Sequence, residues 1–177
     1  IFMTVDQRNW LERLGERIPG YSGYAQRERR RDIDKLHREH LADRLRGVKT
    51  PVNEAIREMT STGRLMEIGP LDRVLKKLDQ IENRVRFASY GYSGFFDVAK
   101  VEEPQLEAIY RFDLALVERV EALDVQARSL GGGDAKATAG ELERAVDELN
   151  RTFDERHTAV NDFGRGGSPE GQPMFGA

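Results

Sequence analysis

Three histidines and a few carboxylates are the residues of this chain best suited to chemistry. Asp34 stands three positions before His37, and Asp154 three before His157. At helical pitch that spacing puts both side chains on one face, the arrangement by which helical bundles hold metals. His40 lies one turn beyond His37, and Asp113 falls at an inward position of a separate helical stretch. The carboxylate-bridged di-iron pattern, however, needs Glu-x-x-His twice with two further Glu, and the chain lacks it. His37, His40, His157, Asp34 and Asp154 are therefore candidate ligands for a site that the spacing does not favour. The competing reading makes the histidines hydrogen-bonded residues at the edge of a core. A carboxylate such as Asp113 on a helix seam calls for a cation, and Arg84 or Arg44 are the candidates.

Cysteine is absent, which excludes a disulfide framework, thiolate zinc, an iron–sulfur cluster and a cysteine nucleophile. Gly131-Gly132-Gly133 follows a helical stretch and so is not a strand-to-helix phosphate loop. No Gly-x-Ser-x-Gly elbow, Walker sequence or His-Glu-x-x-His is present. The expectation is a protein that is not an enzyme and carries no cofactor. The basic run Arg27, Arg29, Arg30, Arg31 is interrupted by Glu28 and flanked by Asp32. It reads as a solvated helix face and, without a nucleic-acid motif, does not favour nucleic acid as a partner.

A repeated aromatic pentapeptide is more distinctive. Gly20-Tyr21-Ser22-Gly23-Tyr24 and Gly91-Tyr92-Ser93-Gly94-Phe95 each stand where one helical stretch gives way to the next. One reading is a turn whose glycines take positive φ while the rings plug the end of a bundle. The other is a presented surface, in which Tyr21, Tyr24, Tyr90, Tyr92, Phe95 and Phe96 meet a partner or a membrane. Trp10 and Leu14, on the apolar face of the first helix, would extend that surface.

The elements that must position these residues follow from periodicity. A first helix is expected over 4–18, with Trp10, Leu11, Leu14 and Ile18 on one face, stopped by Pro19-Gly20. After Tyr24 a long helix keeps apolar residues three or four apart from Ile33 to Met59, in phase across Pro51. Leu71, Val74, Leu78, Ile81, Val85 and Ala88 form a heptad seam. A fourth helix begins near Pro104, with Leu106, Ile109, Asp113, Leu116, Val120, Leu123, Ala127 and Leu130 inward. The fifth runs from about 138 to 163, with Leu142, Val146, Leu149, Phe153, His157, Val160 and Phe163 inward. The fold class expected is all-α: an elongated antiparallel helical bundle or stacked helical hairpins, about five helices in all. Residues 1–163 form one helical domain, with 1–18 as a separable amphipathic helix, and 164–177 are a Gly/Pro-rich flexible tail. No stretch approaches the ~20 apolar residues needed to span a bilayer.

The net charge is −3, but it is unevenly spread. Residues 1–100 hold 20 Lys+Arg against 15 Asp+Glu, and residues 101–177 hold 8 against 16. Complementary packing within the chain explains such a split, and so does head-to-tail association of copies. Ile18-Pro19-Gly20-Tyr21, Arg29-Arg30-Arg31-Asp32, Asp34-Lys35-Leu36 and the run from Ala88 to Asp97 resemble a family of uncharacterised bacterial helical proteins associated with band-7 (SPFH) membrane scaffolds. That resemblance covers most of residues 10–125. It implies a bacterial, cytoplasmic and membrane-proximal setting, and supplies no catalytic residues. The function expected is a non-enzymatic scaffold or adaptor working through homo-oligomerisation or a protein partner. The alternatives are a peripheral membrane-surface protein using the first helix, and a helical-bundle metal-binding protein.

Overall fold

The computed structural model describes residues 5–88, 94–98, 100–132 and 134–166. Six helices run in order: α1 (Val5–Arg17), α2 (Arg30–Ser61), α3 (Ile68–Phe87), α4 (Gly94–Asp97), α5 (Glu103–Arg128) and α6 (Ala135–Gly164), with short 3₁₀ turns at Arg27–Arg29, Leu65–Glu67 and Ser129–Gly132. The described residues are 87% helical and contain no strand, an all-α bundle.

Residues expected on the seams are the ones enclosed. Leu71, Val74, Leu78, Ile81 and Val85 of α3 are buried, as are every seam position of α5 from Leu106 to Ala127 and Leu130 in the turn after it. α2 continues unbroken through Pro51. A proline ring in a helix crowds the carbonyl four residues earlier. Here that residue is Gly47, and the helix accommodates the ring without a break. α6 begins earlier than its apolar pattern indicates because Asp134 caps it, its Oδ1 accepting from the amides of Lys136 (3.0 Å) and Ala137 (3.1 Å).

Two compact units divide the chain, with boundaries inside α2, α5 and α6. The first comprises Ile1–His37, Ser89–Ala115 and Thr152–Ala177; the second comprises Arg38–Ala88 and Leu116–Arg151. The sequence, read as one continuous helical region, carries no linker that would announce this division.

In the second unit, pairing between helices fixes their directions. Lys49 donates to Asp79 and Glu82 (both 2.6 Å), and Arg86 to Asp43 (2.8 Å), so α2 and α3 are antiparallel. Arg73–Glu143 and Lys77–Asp147 set α3 and α6 side by side and parallel. Arg119–Glu148 and Gln126–Glu141 make α5 and α6 antiparallel. Neighbours in sequence are thus antiparallel as expected, while α3 and α6 meet in parallel. Arg84, a proposed partner of Asp113, instead donates to Asn150 in this unit (2.5 Å). The basic α3 meets the acidic α6 through these pairs, so part of the charge asymmetry is satisfied within the chain. Such exposed pairs select the partner helix more than they stabilise the fold, at about 0–1 kcal/mol each.

Candidate functional site

The first unit brings Asp34, His37, Tyr21 and Tyr24 together around Asp113, which is fully buried. Its Oδ2 accepts from the hydroxyls of Tyr21 and Tyr24, both at 2.7 Å. Its Oδ1 accepts from Arg156 Nε. The other arm of that guanidinium, Nη2, donates to Asp34 Oδ1 (2.9 Å) and Tyr24 Oη (3.0 Å). His37 Nε2 lies 3.1 Å from the Asp113 backbone oxygen. Four segments converge here: the connector after α1, the start of α2, the middle of α5 and the last third of α6.

Local sequence explains how the tyrosines arrive. Gly20 and Gly23 have φ of +86° and +77°, a conformation that costs other residues about 1–2 kcal/mol. These two reversals turn Tyr21 and Tyr24 inward. A side chain on Gly23 would also run into the hydroxyl of Tyr110. That hydroxyl accepts from the Tyr24 amide (3.0 Å), and the Tyr24 and Tyr110 rings stack with centroids 5.9 Å apart. Arg30 closes the connector from above: Nε donates to Tyr24 O (2.8 Å), and Nη1 to Val98 O (2.8 Å) and Phe95 O (3.3 Å). Arg30 is therefore buried, while its neighbour Arg31 reaches the surface and pairs with Asp97 at 2.9 Å. The expectation of a wholly solvated basic face fails at Arg30 because the enclosed carbonyls of Tyr24, Phe95 and Val98 need a donor there.

Electrostatics follow from enclosure. Burial by itself would push the Asp113 carboxyl up, but the Arg156 guanidinium and the hydrogen bonds from Arg156 and Tyr24 hold it below the usual range. Burial, reinforced by the Asp113 charge, pushes the Tyr21 and Tyr24 phenols well above their ordinary value. The tyrosines are thus neutral donors to a fixed carboxylate.

The residues proposed as a partner or membrane interface are placed differently from that proposal. Leu14, Tyr21, Tyr24, Phe95 and Phe96 are all buried. Tyr24 packs against Phe95 with centroids 5.9 Å apart, and Phe95 against Phe96 at 5.3 Å. In this conformation the five plug the interior, because an inward ring on a glycine turn removes more apolar surface from water than an outward one. Trp10 is half-buried, with the Arg111 guanidinium 5.9 Å from its ring. Of the apolar face of α1, Leu14 and Ile18 are turned in and Leu11 is half-buried like Trp10. Tyr90 and Tyr92 lie outside the described residues, as do residues 167–177 of the expected tail.

The candidate metal ligands are not brought together. Arg156 occupies the place between Asp34 and Asp113 where a cation would sit. His40 belongs to the second unit, where Arg44 and Glu121 are its charged neighbours. His157 is half-buried and Asp154 exposed. Among the described residues no three His, Asp or Glu form a group suited to a metal ion.

Arg156 is the residue sequence reasoning missed. Phe153, Arg156, Val160 and Phe163 have the same three-and-four spacing as the series written with His157. A buried Asp113 needing a countercharge was the signal that selects Arg156. The short helix α4 was also missed, and Gly94 shows why it matters: it packs directly on the Gly164 backbone, and a Cβ on either would overlap the other. Comparison with protein-family models, with curated proteins and with solved structures finds no match to this chain.

Proposed function

We propose that this protein is a non-catalytic helical scaffold or adaptor that acts through association with further copies of itself. One contrast carries the reading. The side chains gathered around Asp113 are enclosed and committed to one another, while large apolar side chains stand in solvent. Met66 is 95% exposed, Phe87 73%, Val125 71% and Leu65 60%. Leu65 and Met66 are adjacent on the turn between α2 and α3, where no packing requirement of the fold explains them. Adjacent exposed apolar residues on an otherwise charged surface favour contact with another protein. Ion pairs such as Lys77–Asp147 already satisfy charge within the chain, so the contact proposed is apolar rather than head-to-tail ionic.

A cytoplasmic, membrane-proximal setting in a bacterium is the compartment we propose, on the strength of the family resemblance. No helix among the described residues is long and apolar enough to cross a membrane.

Light scattering coupled to size exclusion tests the association. The expected result is a mass above that of one chain that rises with protein concentration. Paired Leu65→Ser and Met66→Ser replacements should return it to the single-chain value, with helix content unchanged. A wild-type chain that stays monomeric at every concentration overturns self-association.

A further inference from the structure

His37 is fully buried, and its Nδ1 has no hydrogen-bond partner. A carbonyl oxygen only accepts, so the contact from Nε2 to Asp113 O puts the proton of the neutral ring on Nε2. Nδ1 then presents a lone pair to Asp113 Oδ1 at 3.6 Å, acceptor facing acceptor. The charged and titratable groups around the ring come from every element packed on it. Asp113 faces it from α5, Arg156 from α6, Tyr21 from the connector and Asp34 from one turn earlier on α2. Asp113 and Asp34 favour a second proton; enclosure and Arg156 oppose it. Enclosure is the largest of these influences and pushes the imidazole below its ordinary value.

We propose that His37 is an acid-release latch, neutral while the first unit is closed, through which mild acidification opens the connector carrying Tyr21 and Tyr24. An opened His37 takes up a proton that the closed site resists. Acid therefore favours the open form by mass action, beginning near the ordinary histidine pKa of about 6.5 and continuing until the closed form also titrates. The connector is the segment that yields. The tyrosine hydroxyls that hold it and the His37 ring converge on the same residue, Asp113. From Pro19 to Gln26 its backbone is secured by Tyr21 N to Ile18 O (3.0 Å), Tyr24 N to Tyr110 Oη (3.0 Å) and Arg30 Nε to Tyr24 O (2.8 Å), outside any helical ladder. Loops open at lower free energy than packed helices do. Asp113, held below the carboxylate range, stays charged across this window, so the response belongs to the imidazole.

Amide hydrogen exchange at Tyr24 in the full chain, corrected for the intrinsic pH dependence of exchange, tests the latch. Between pH 8 and pH 5 the open-to-closed ratio should rise by up to about 30-fold. His37→Gln keeps an N–H donor for the Asp113 carbonyl and does not titrate, so its ratio should stay flat. His40→Gln, altered in the second unit, should keep the wild-type response. An equal rise in wild type and His37→Gln overturns the proposal. Should His37→Gln not fold, an NMR titration of wild-type His37 decides. A pKa below 6.5, with Tyr24 opening over the same range, supports the latch; a pKa at or above 6.5 overturns it.

Discussion

Removing Arg156 would leave Asp34 and Asp113, both bonded to one guanidinium, enclosed without a cation. Arg156→Met should therefore lower stability by about 3–5 kcal/mol, the cost of breaking a buried pair. Arg156→Lys should recover only part of this, because an ammonium lacks the planar fork that serves two carboxylates and Tyr24 at once. Denaturant unfolding of the two variants checks both statements; near-wild-type stability for Arg156→Met would mean that the network is open to water. At this scale the sequence is legible in part. Asp113 declares itself as a carboxylate on an apolar seam, and the need for a cation follows. Which cation answers was not legible: Arg84 and Arg44 have the right charge but belong to the second unit, whereas Arg156 shares the first unit with Asp113.

Helices and turns differ in how openly they are written. Long seams record which face is inward because each buried Leu, Ile or Val contributes roughly 1.5–3 kcal/mol, and that demand shapes every turn of α3 and α5. α5 goes further, burying Tyr110, Phe112, Leu114 and Val117 beside its seam, which a single-stripe reading understates. Glycine turns are harder to read, since a glycine signals freedom without saying whether freedom or space is needed. Gly23 and Gly63 separate the two. Both have positive φ, +77° and +75°, but Gly63 has open space where Gly23 faces Tyr110 and Leu11. Gly63→Ala should cost about 1–2 kcal/mol from backbone strain alone. Gly23→Ala should cost more, since the added methyl must displace the Tyr110 hydroxyl that accepts from Tyr24. Equal losses in thermal melts of the two variants would show that the Tyr110 contact is soft.

For the whole molecule, the buried network sets the pH range over which the chain stays folded, and composition hides this because a net charge of −3 says nothing about which groups are enclosed. On the acid side the depressed Asp113 carboxyl contributes stability that is present above about pH 4 and is lost as pH falls through its folded value. The alkaline side is the more distinctive. Tyr21 and Tyr24 are enclosed as neutral phenols, raised first by burial and then by Asp113. Below pH ~10 both are protonated whether the chain is folded or not, so their stabilisation is complete. As pH rises beyond 10 the unfolded chain releases two protons that the folded chain keeps, and stability falls by up to ~1.4 kcal/mol per pH unit for each tyrosine. Lys49, which burial pushes down but which its bonds to Asp79 and Glu82 and their charges together raise on balance, adds a change of the same sign, so the wild-type slope alone does not isolate the phenols. Tyr21→Phe and Tyr24→Phe do. Each lowers stability at neutral pH by removing a bond to Asp113, but each should also make the decline between pH 10 and 11.5 shallower, and the pair together more so, leaving the contributions of Lys49 and of Tyr110, whose phenol burial also raises. Denaturant unfolding across that range reads slope separately from level. An unchanged slope in the double variant would mean that the two phenols ionise in the folded protein as freely as in water, and that Asp113 is not enclosed as described.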